Sequence, residues 1–169
     1  MSLILRPWKM SDLDSLISNA NNPLIAQFMT DQFPFPYTQA NGKKFIKYAS
    51  TADPIHIFAI EVDSYAVGGI GIHPGQDIMR KNAELGYWLG EEYWGKGIIS
   101  QAVNQMVTFA FKTFDIDRVF ARPFGTNMAS QKVLEKNGFI LEGRFNDVIF
   151  KNGEYLDELI YAVRRNQWK

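Results

Sequence analysis

The chain has 169 residues, 46% of them hydrophobic and 21% charged, and its 18 Lys and Arg balance 18 Asp and Glu. A balanced charge gives no field that would draw nucleic acid or an anionic membrane, and the absence of Cys excludes disulfides, thiolate nucleophiles and Cys-ligated metals. The length predicts a single domain over 1–169; no apolar run approaches the ~20 residues of a membrane span, and Met1-Ser2-Leu3-Ile4-Leu5-Arg6-Pro7 lacks the pattern of a signal peptide, so a cytoplasmic location is expected.

A first strand is predicted over 3–6 and stopped by Pro7. Ser11 or Asp12 is placed to cap a helix with Leu13, Leu16, Ile17 and Ala20 at helical spacing, and Asn21-Asn22-Pro23 breaks it. A short helical piece through Leu24, Ile25 and Phe28 follows. Two prolines keep Phe33-Pro34-Phe35-Pro36-Tyr37 extended, and Thr38 caps a helix bearing Phe45, Ile46 and Tyr48. Strands over 55–62 and 66–72, joined at Asp63-Ser64, form a hairpin, and 83–89 is the next strand.

After Gly97 a long helix carries Ile98, Ile99, Ala102, Val103, Met106, Val107, Ala110 and Phe111 on one stripe. A strand over 118–122 ends at Pro123. Asn127 caps a short helix with Ala129, Val133 and Leu134 inward, and Asn137-Gly138 stops it. Short strands over 139–141 and 148–150 and a longer one over 155–163 complete the sheet, with a turn at Lys151-Asn152-Gly153-Glu154. The pattern is a mixed α/β (α+β) domain with a largely antiparallel sheet of about seven strands.

The most informative stretch is Tyr93-Trp94-Gly95-Lys96-Gly97-Ile98-Ile99-Ser100. A strand that stops in a glycine-rich turn and opens into a helix offers backbone N–H groups at the positive end of the helix dipole, which suits phosphate oxygens. Gly90 to Gly97 nearly spells a P-loop, but position 97 lacks the hydroxyl that Mg²⁺ needs, and no strand ending in Asp supplies a second metal anchor. A P-loop nucleotidase is therefore the minor reading.

The larger pattern resembles the GNAT superfamily of acyl-CoA-dependent N-acyltransferases, in particular its Rim-type branch of ribosomal-protein N-terminal acetyltransferases. Three blocks carry the resemblance: Ala83-Glu84-Leu85-Gly86-Tyr87-Trp88-Leu89, then Tyr93-Trp94-Gly95-Lys96-Gly97, then Asn127-Met128-Ala129-Ser130-Gln131-Lys132-Val133-Leu134-Glu135-Lys136-Asn137-Gly138-Phe139. The resemblance implies a sheet splayed between its fourth and fifth strands, helices on both faces, and acetyl-CoA as acyl-donor cosubstrate without a metal. It implies an amine acceptor, either a protein N-terminus or a small molecule, with direct attack in a ternary complex. No nucleic acid or membrane partner is expected, and a homodimer stays open.

By the same resemblance, Trp94, Gly95, Lys96, Gly97, Ile98, Ile99 and Ser100 wrap the pyrophosphate, Tyr87, Trp88 and Leu89 meet pantetheine, and Asn127 and Lys132 reach the cofactor from the second helix. Two positions depart from the superfamily: Trp94 stands where Gln or Arg is usual, and Ile99 where Gly or Ala is preferred. Lys96, Lys132, Tyr87, Trp88 and Asn127 equally suit structural roles, as solvated lysines, core aromatics and a helix cap.

Deprotonating an alkyl ammonium at neutral pH needs a base. Glu84, a carboxylate in an apolar strand, is the first choice, the alternative being a salt-bridged edge residue. His73 is a weaker candidate, and neither His73 nor His56 has metal-ligand spacing. Leu134 occupies the place of the tyrosine that serves as acid in many superfamily members, which leaves Ser130 as the compatible donor. Phe33, Phe35 and Tyr37 either wall an acceptor pocket or plug the core. The departures also keep open a non-catalytic acyl-CoA-binding module of the same fold.

Overall fold

Turn chemistry sets the hairpins. In the computed structural model, which describes residues 3–169, Asp63 and Ser64 lie at φ 49° and 71°, and Asn152 and Gly153 at 53° and 81°. Such two-residue turns with positive φ match the right-handed twist of the strands they join. The first joins β2 (Ile57–Val62) to β3 (Tyr65–Pro74), and the second joins β6 (Ile140–Lys151) to β7 (Glu154–Arg164). With β1 (Leu3–Pro7), β4 (Asn82–Leu89) and β5 (Arg118–Ala121) they make a seven-stranded sheet in the order β1-β2-β3-β4-β5-β7-β6.

The β4–β5 pair is parallel and covers only Asn82↔Arg118, Ala83↔Val119 and Glu84↔Phe120. The pairs of β5 with β7 and of β7 with β6 are antiparallel. The sheet is therefore mixed and largely antiparallel, and its parallel ladder stops early.

Contacts divide the chain into two compact units, the residues up to Gly71 with Tyr87–Ala102, and Ile72–Gly86 with Val103–Lys169. In the first, α1 (Leu13–Ala20), α2 (Pro23–Ala26) and α3 (Gln39–Thr51) join β1 and β2. Asn22 accepts the Leu24 N–H at 2.9 Å with Pro23 as first helical residue, and Thr38 exchanges bonds with Asn41 in a capping box. Trp8, Leu16, Ala20, Ile46, Ala49, Ile57 and Ala59 form the core with Trp88, and Phe45 meets Trp8 edge-on at 5.3 Å. Gly68 has no room for a side chain, because a Cβ there would run into the Trp88 carbonyl and stand 3.1 Å from Leu89 Cα.

Asp12 does not cap α1 with its side chain. Its carboxylate accepts the Lys9 N–H at 2.9 Å and both Arg6 Nη groups, at 2.7 and 2.8 Å, while Arg6 Nε binds Glu61. The capping signal in the sequence is used instead to tie β1 to the chain entering α1.

In the second unit α4 (Ile98–Thr113), which begins in the first, buries Val103, Met106, Val107 and Ala110. α5 (Met128–Lys136) differs from expectation on its inward face: Ala129 is exposed and Val133 half-buried, whereas Gln131 and Leu134 are buried. Gly138 at φ 79° stops the helix, with the Phe139 N–H on the Leu134 carbonyl at 3.0 Å. The short strands expected over 139–141 and 148–150 are one strand, β6. Its register slips between Leu141 and Gly143 and between Phe145 and Ile149. Asp157 of β7 pins the second bulge, accepting the Asp147 N–H at 3.0 Å and the Arg144 Nε at 2.8 Å.

Burial alone would raise the Asp12 pKa, but its bonds to Arg6 and Lys9 outweigh it and hold it below the ordinary value. A depressed carboxylate contributes stability above its unfolded pKa of ~4 and loses it as pH falls through the lower folded value. Asp12→Asn is expected to cost about 1–3 kcal/mol at pH 7. Urea unfolding of both proteins at pH 7 and near pH 3 should show that gap closing in acid.

Candidate functional site

The turn that opens α4 is built from residues with separate jobs. Gly90 donates its N–H to Val67 O at 2.8 Å, and a Cβ there would overlap Asn19 Oδ1. A single turn of 3₁₀ helix, Glu91–Tyr93, follows, and Glu91 accepts Asn22 Nδ2 at 2.7 Å. Trp94 donates Nε1–H to the Leu89 carbonyl at 2.8 Å, and the residue is 44% exposed. The indole thus ties the turn back to the end of β4. Lys96 Nζ lies 5.4 Å above the Tyr93 ring.

Gly95 and Gly97 have φ of 73° and 75°, and a Cβ on either would meet nothing within 4 Å. Backbone conformation, not crowding, demands glycine at both, and the space beside them is open. The Gln101 N–H bonds back to Gly97 O at 3.2 Å, so Ile98, Ile99 and Ser100 form the first turn of the helix. First-turn N–H groups have no carbonyl one turn back and carry the positive end of the dipole. Ile98 is buried and Ile99 half-buried, so the departure at Ile99 places a side chain inward.

On β4, Tyr87 is half-buried and Trp88 and Leu89 are buried. Trp88 belongs to the core, with Phe33 edge-on at 5.7 Å and Phe33 in turn 5.3 Å from Tyr37. Burial pushes the Tyr37 phenol up to about 12. Of the three aromatics of the proline-stiffened loop, Phe33 and Tyr37 join this packing, while Phe35 is 52% exposed.

On α5, Asn127 Oδ1 accepts the Ser130 N–H at 3.2 Å, and Lys132 is exposed. Gln131 donates Nε2–H to Gly125 O at 3.0 Å and fastens the helix to the loop before it. Leu134 is fully buried. The burial of Gln131 has no signal in the sequence, since an amide on a helical stripe reads as a surface residue.

Glu84 closes the β4–β5 ladder opposite Phe120, with its side chain 40% exposed. Arg122, just past β5, places Nη1 4.0 Å from Glu84 Oε2 and binds Glu158 Oε1 through Nε at 2.5 Å. Burial raises the Glu84 pKa; Arg122 pulls it down and Glu158 pushes it up, leaving it above the ordinary value. Gly75 N–H on Asn82 O at 2.8 Å sets a β3–β4 register in which His73 falls opposite Glu84. Gly86, two residues on, is exposed, and a Cβ there would meet nothing within 4 Å. The charged pair at the end of β5 escaped the sequence reading, because only the backbone course brings Arg122 to β7.

A separate cavity of about 530 Å³ is lined by Asp14, Ser18, Asn22, Glu91, Glu92 and Tyr93. Its carboxylates oppose a phosphate, so the turn itself is the anion-compatible surface. Among the described residues no group of three or more His, Asp or Glu side chains gathers as metal ligands, and no helix is long and apolar enough to cross a membrane.

A family model described as an acetyltransferase (GNAT) domain matches residues 2–140. Over 107 residues the chain is 35% identical to YdaF of Bacillus subtilis, a candidate ribosomal N-acetyltransferase; the match spans 63% of this chain and 58% of that relative. It is 38% identical over 84 residues to the ribosomal-protein-serine acetyltransferase of Escherichia coli, half of this chain and 47% of that one. The solved structure of RimL, a ribosomal alpha-N-protein acetyltransferase in complex with coenzyme A, superposes with a TM-score of 0.85 at 26% identity, covering 97% of this chain and 94% of that one.

Asn127→Ala should remove the α5 cap at a cost of about 1 kcal/mol, with Asn127→Asp retaining most of it. Thermal melts of the three proteins measure this.

Proposed function

Because the chain belongs to the GNAT acetyltransferase family, we propose that it is an acyltransferase that moves an acetyl group from acetyl-CoA to a primary amine, either a protein N-terminus or a small molecule. The observation that carries this reading is the turn before α4, where two glycines with positive φ and open space beside them lead into a 16-residue helix. Phosphate oxygens need close backbone approach and unpaired N–H groups, and the turn supplies both. Residues Trp94 to Ser100 are assigned to the pyrophosphate, with Trp94 holding the turn through Leu89 rather than touching phosphate. Lys96 adds positive charge at its rim. Tyr87, Trp88 and Leu89 are assigned to pantetheine through their backbone, since the Trp88 and Leu89 side chains are buried. Asn127 and Lys132 are assigned to the same ligand from α5.

When bound, acetyl-CoA supplies an acetyl group activated as a thioester, so that a C–N bond forms as the C–S bond breaks. Glu84 takes a proton from the acceptor ammonium. Its raised pKa makes it a better base than a solvated carboxylate, and the open space beside Gly86 gives the amine room. Ser130 is assigned as proton donor to the leaving thiolate, because the buried Leu134 has no O–H to give. Phe35, exposed at the tip of the proline loop, is assigned to the acceptor, while Phe33 and Tyr37 support it from the core.

The activities of the relatives, a ribosomal-protein-serine acetyltransferase and a ribosomal alpha-N-protein acetyltransferase, favour a ribosomal-protein N-terminus as acceptor. The bacterial relatives favour a cytoplasmic location.

Acetyl-CoA at a hundred times its dissociation constant should stabilise the protein by about 2.7 kcal/mol, read as a rise in Tm. Gly97→Val should abolish that rise. ATP with Mg²⁺ raising Tm while acetyl-CoA does nothing would overturn the reading. Thiol release with a panel of N-terminal peptides and small amines then tests catalysis, and Glu84→Gln should lower kcat/KM about 10²-fold. Binding without transfer to any amine would leave a CoA-binding protein only.

A further inference from the structure

The final hairpin holds a carboxylate that the mechanism above does not use. Glu158 of β7 is 15% exposed, and its partner Arg122 lies on the short run between β5 and Pro123. Backbone bonds fix this approach: Phe124 bridges Glu158, and the Leu159 N–H reaches the Pro123 carbonyl at 3.0 Å. The guanidinium therefore stands between two carboxylates at unequal distances, 2.5 Å from Glu158 and 4.0 Å from Glu84. A guanidinium offers donors on a rigid fork, and here Nε is spent on Glu158.

We propose that Glu158 is a positioning residue that holds Arg122 away from Glu84 and so leaves Glu84 available to take the acceptor's proton. This rests on the assignment of Glu84 as base. The two interactions oppose each other. A full Arg122–Glu84 pair would make Glu84 a weak base; without Arg122, two carboxylates would face each other across the gap. Glu158 sets the balance by competing for the arginine. The other charges on this side are otherwise engaged or lateral. Arg118 of β5 binds Glu142 and Asn82, Arg164 of β7 lies 3.6 Å from Glu142, and His73 of β3 falls opposite Glu84 in register.

The sign is opposite in two variants. Glu158→Gln removes a repelling charge and frees Arg122 for Glu84, so the Glu84 carboxyl should titrate at lower pH. Arg122→Gln removes the cation and leaves Glu158, so Glu84 should titrate at higher pH. Carbon NMR of side-chain carboxyl-labelled protein reads both midpoints without any substrate, with the Glu84 signal assigned by its loss in Glu84→Gln. The acidic limb of kcat/KM should follow the same displacements, and Glu158→Gln should lose roughly three- to tenfold in plateau kcat/KM as its base weakens. Arg122→Lys should restore most of the wild-type midpoint and carries the test with Arg122→Gln if Glu158→Gln does not fold. Midpoints that stay put, or move the same way in Glu158→Gln and Arg122→Gln, overturn the proposal. Wild-type protein that binds acetyl-CoA but acetylates no amine overturns the enzymatic reading instead, and the NMR titration still decides the positioning.

Discussion

The parallel ladder between β4 and β5 stops after Glu84 and Phe120, and much of the candidate site follows from that stop. Parallel pairing needs both chains to keep course, and β5 cannot. Arg122, the residue just past its end, is followed by Pro123, which has no N–H for a ladder. Past that point the chain is captured by β7 through the Phe124–Glu158 bridge, and it enters α5 at Asn127. A strand only four residues long thus accounts for three things at once. It ends the ladder beside Glu84, brings Arg122 to Glu158, and delivers the cap residue that opens the second helix.

The same economy appears at the end of β4. Between Leu89, where the strand ends, and Ile98 the chain must turn into α4, and two left-handed glycines, Gly95 and Gly97, make that possible. The surrounding contacts keep the turn from wandering: Gly90 against Asn19 and Val67, Glu91 against Asn22, Trp94 against the Leu89 carbonyl. A phosphate site made of backbone, as proposed for this turn, needs such bracing, since its donors cannot adjust by changing rotamer. Trp94 is informative here. Its position in the sequence suggests a ligand contact, whereas its indole N–H is committed to structure.

Local signals in the sequence proved legible where one residue decides the conformation. The turns at Asp63-Ser64 and Asn152-Gly153, the caps at Thr38 and Asn127, and the stop at Gly138 all lie where their chemistry places them. The family, and with it the neighbourhood of β4 and β5, was legible from the blocks around the glycine turn. What could not be read depends on partners distant in sequence. The bulges of β6 interrupt its alternation at Glu142 and again over 146–148, so one strand reads as two. The Asp12 carboxylate is diverted from its helix by Arg6. The inward side of α5 contains an amide because the carbonyls of Phe124 and Gly125 lie beneath it. Arg122 has no local signature, and only β7 gives it a role.

The bulged course of β6 also bears on how this chain behaves among its own copies. β6 is the last strand of the sheet, so one of its rows of N–H and C=O groups faces outward, and it carries exposed Ile140, Leu141, Phe145, Val148 and Phe150. A straight strand of that composition would template pairing with another chain. Two register slips cut the row into pieces shorter than an aggregating segment requires, and Arg144, engaged with Asp157, keeps a charge beside the break. At the opposite margin β1 ends in Pro7, which has no N–H to offer. The irregularity that hid this strand from its sequence is thus a safeguard of solubility at the sheet's most vulnerable border.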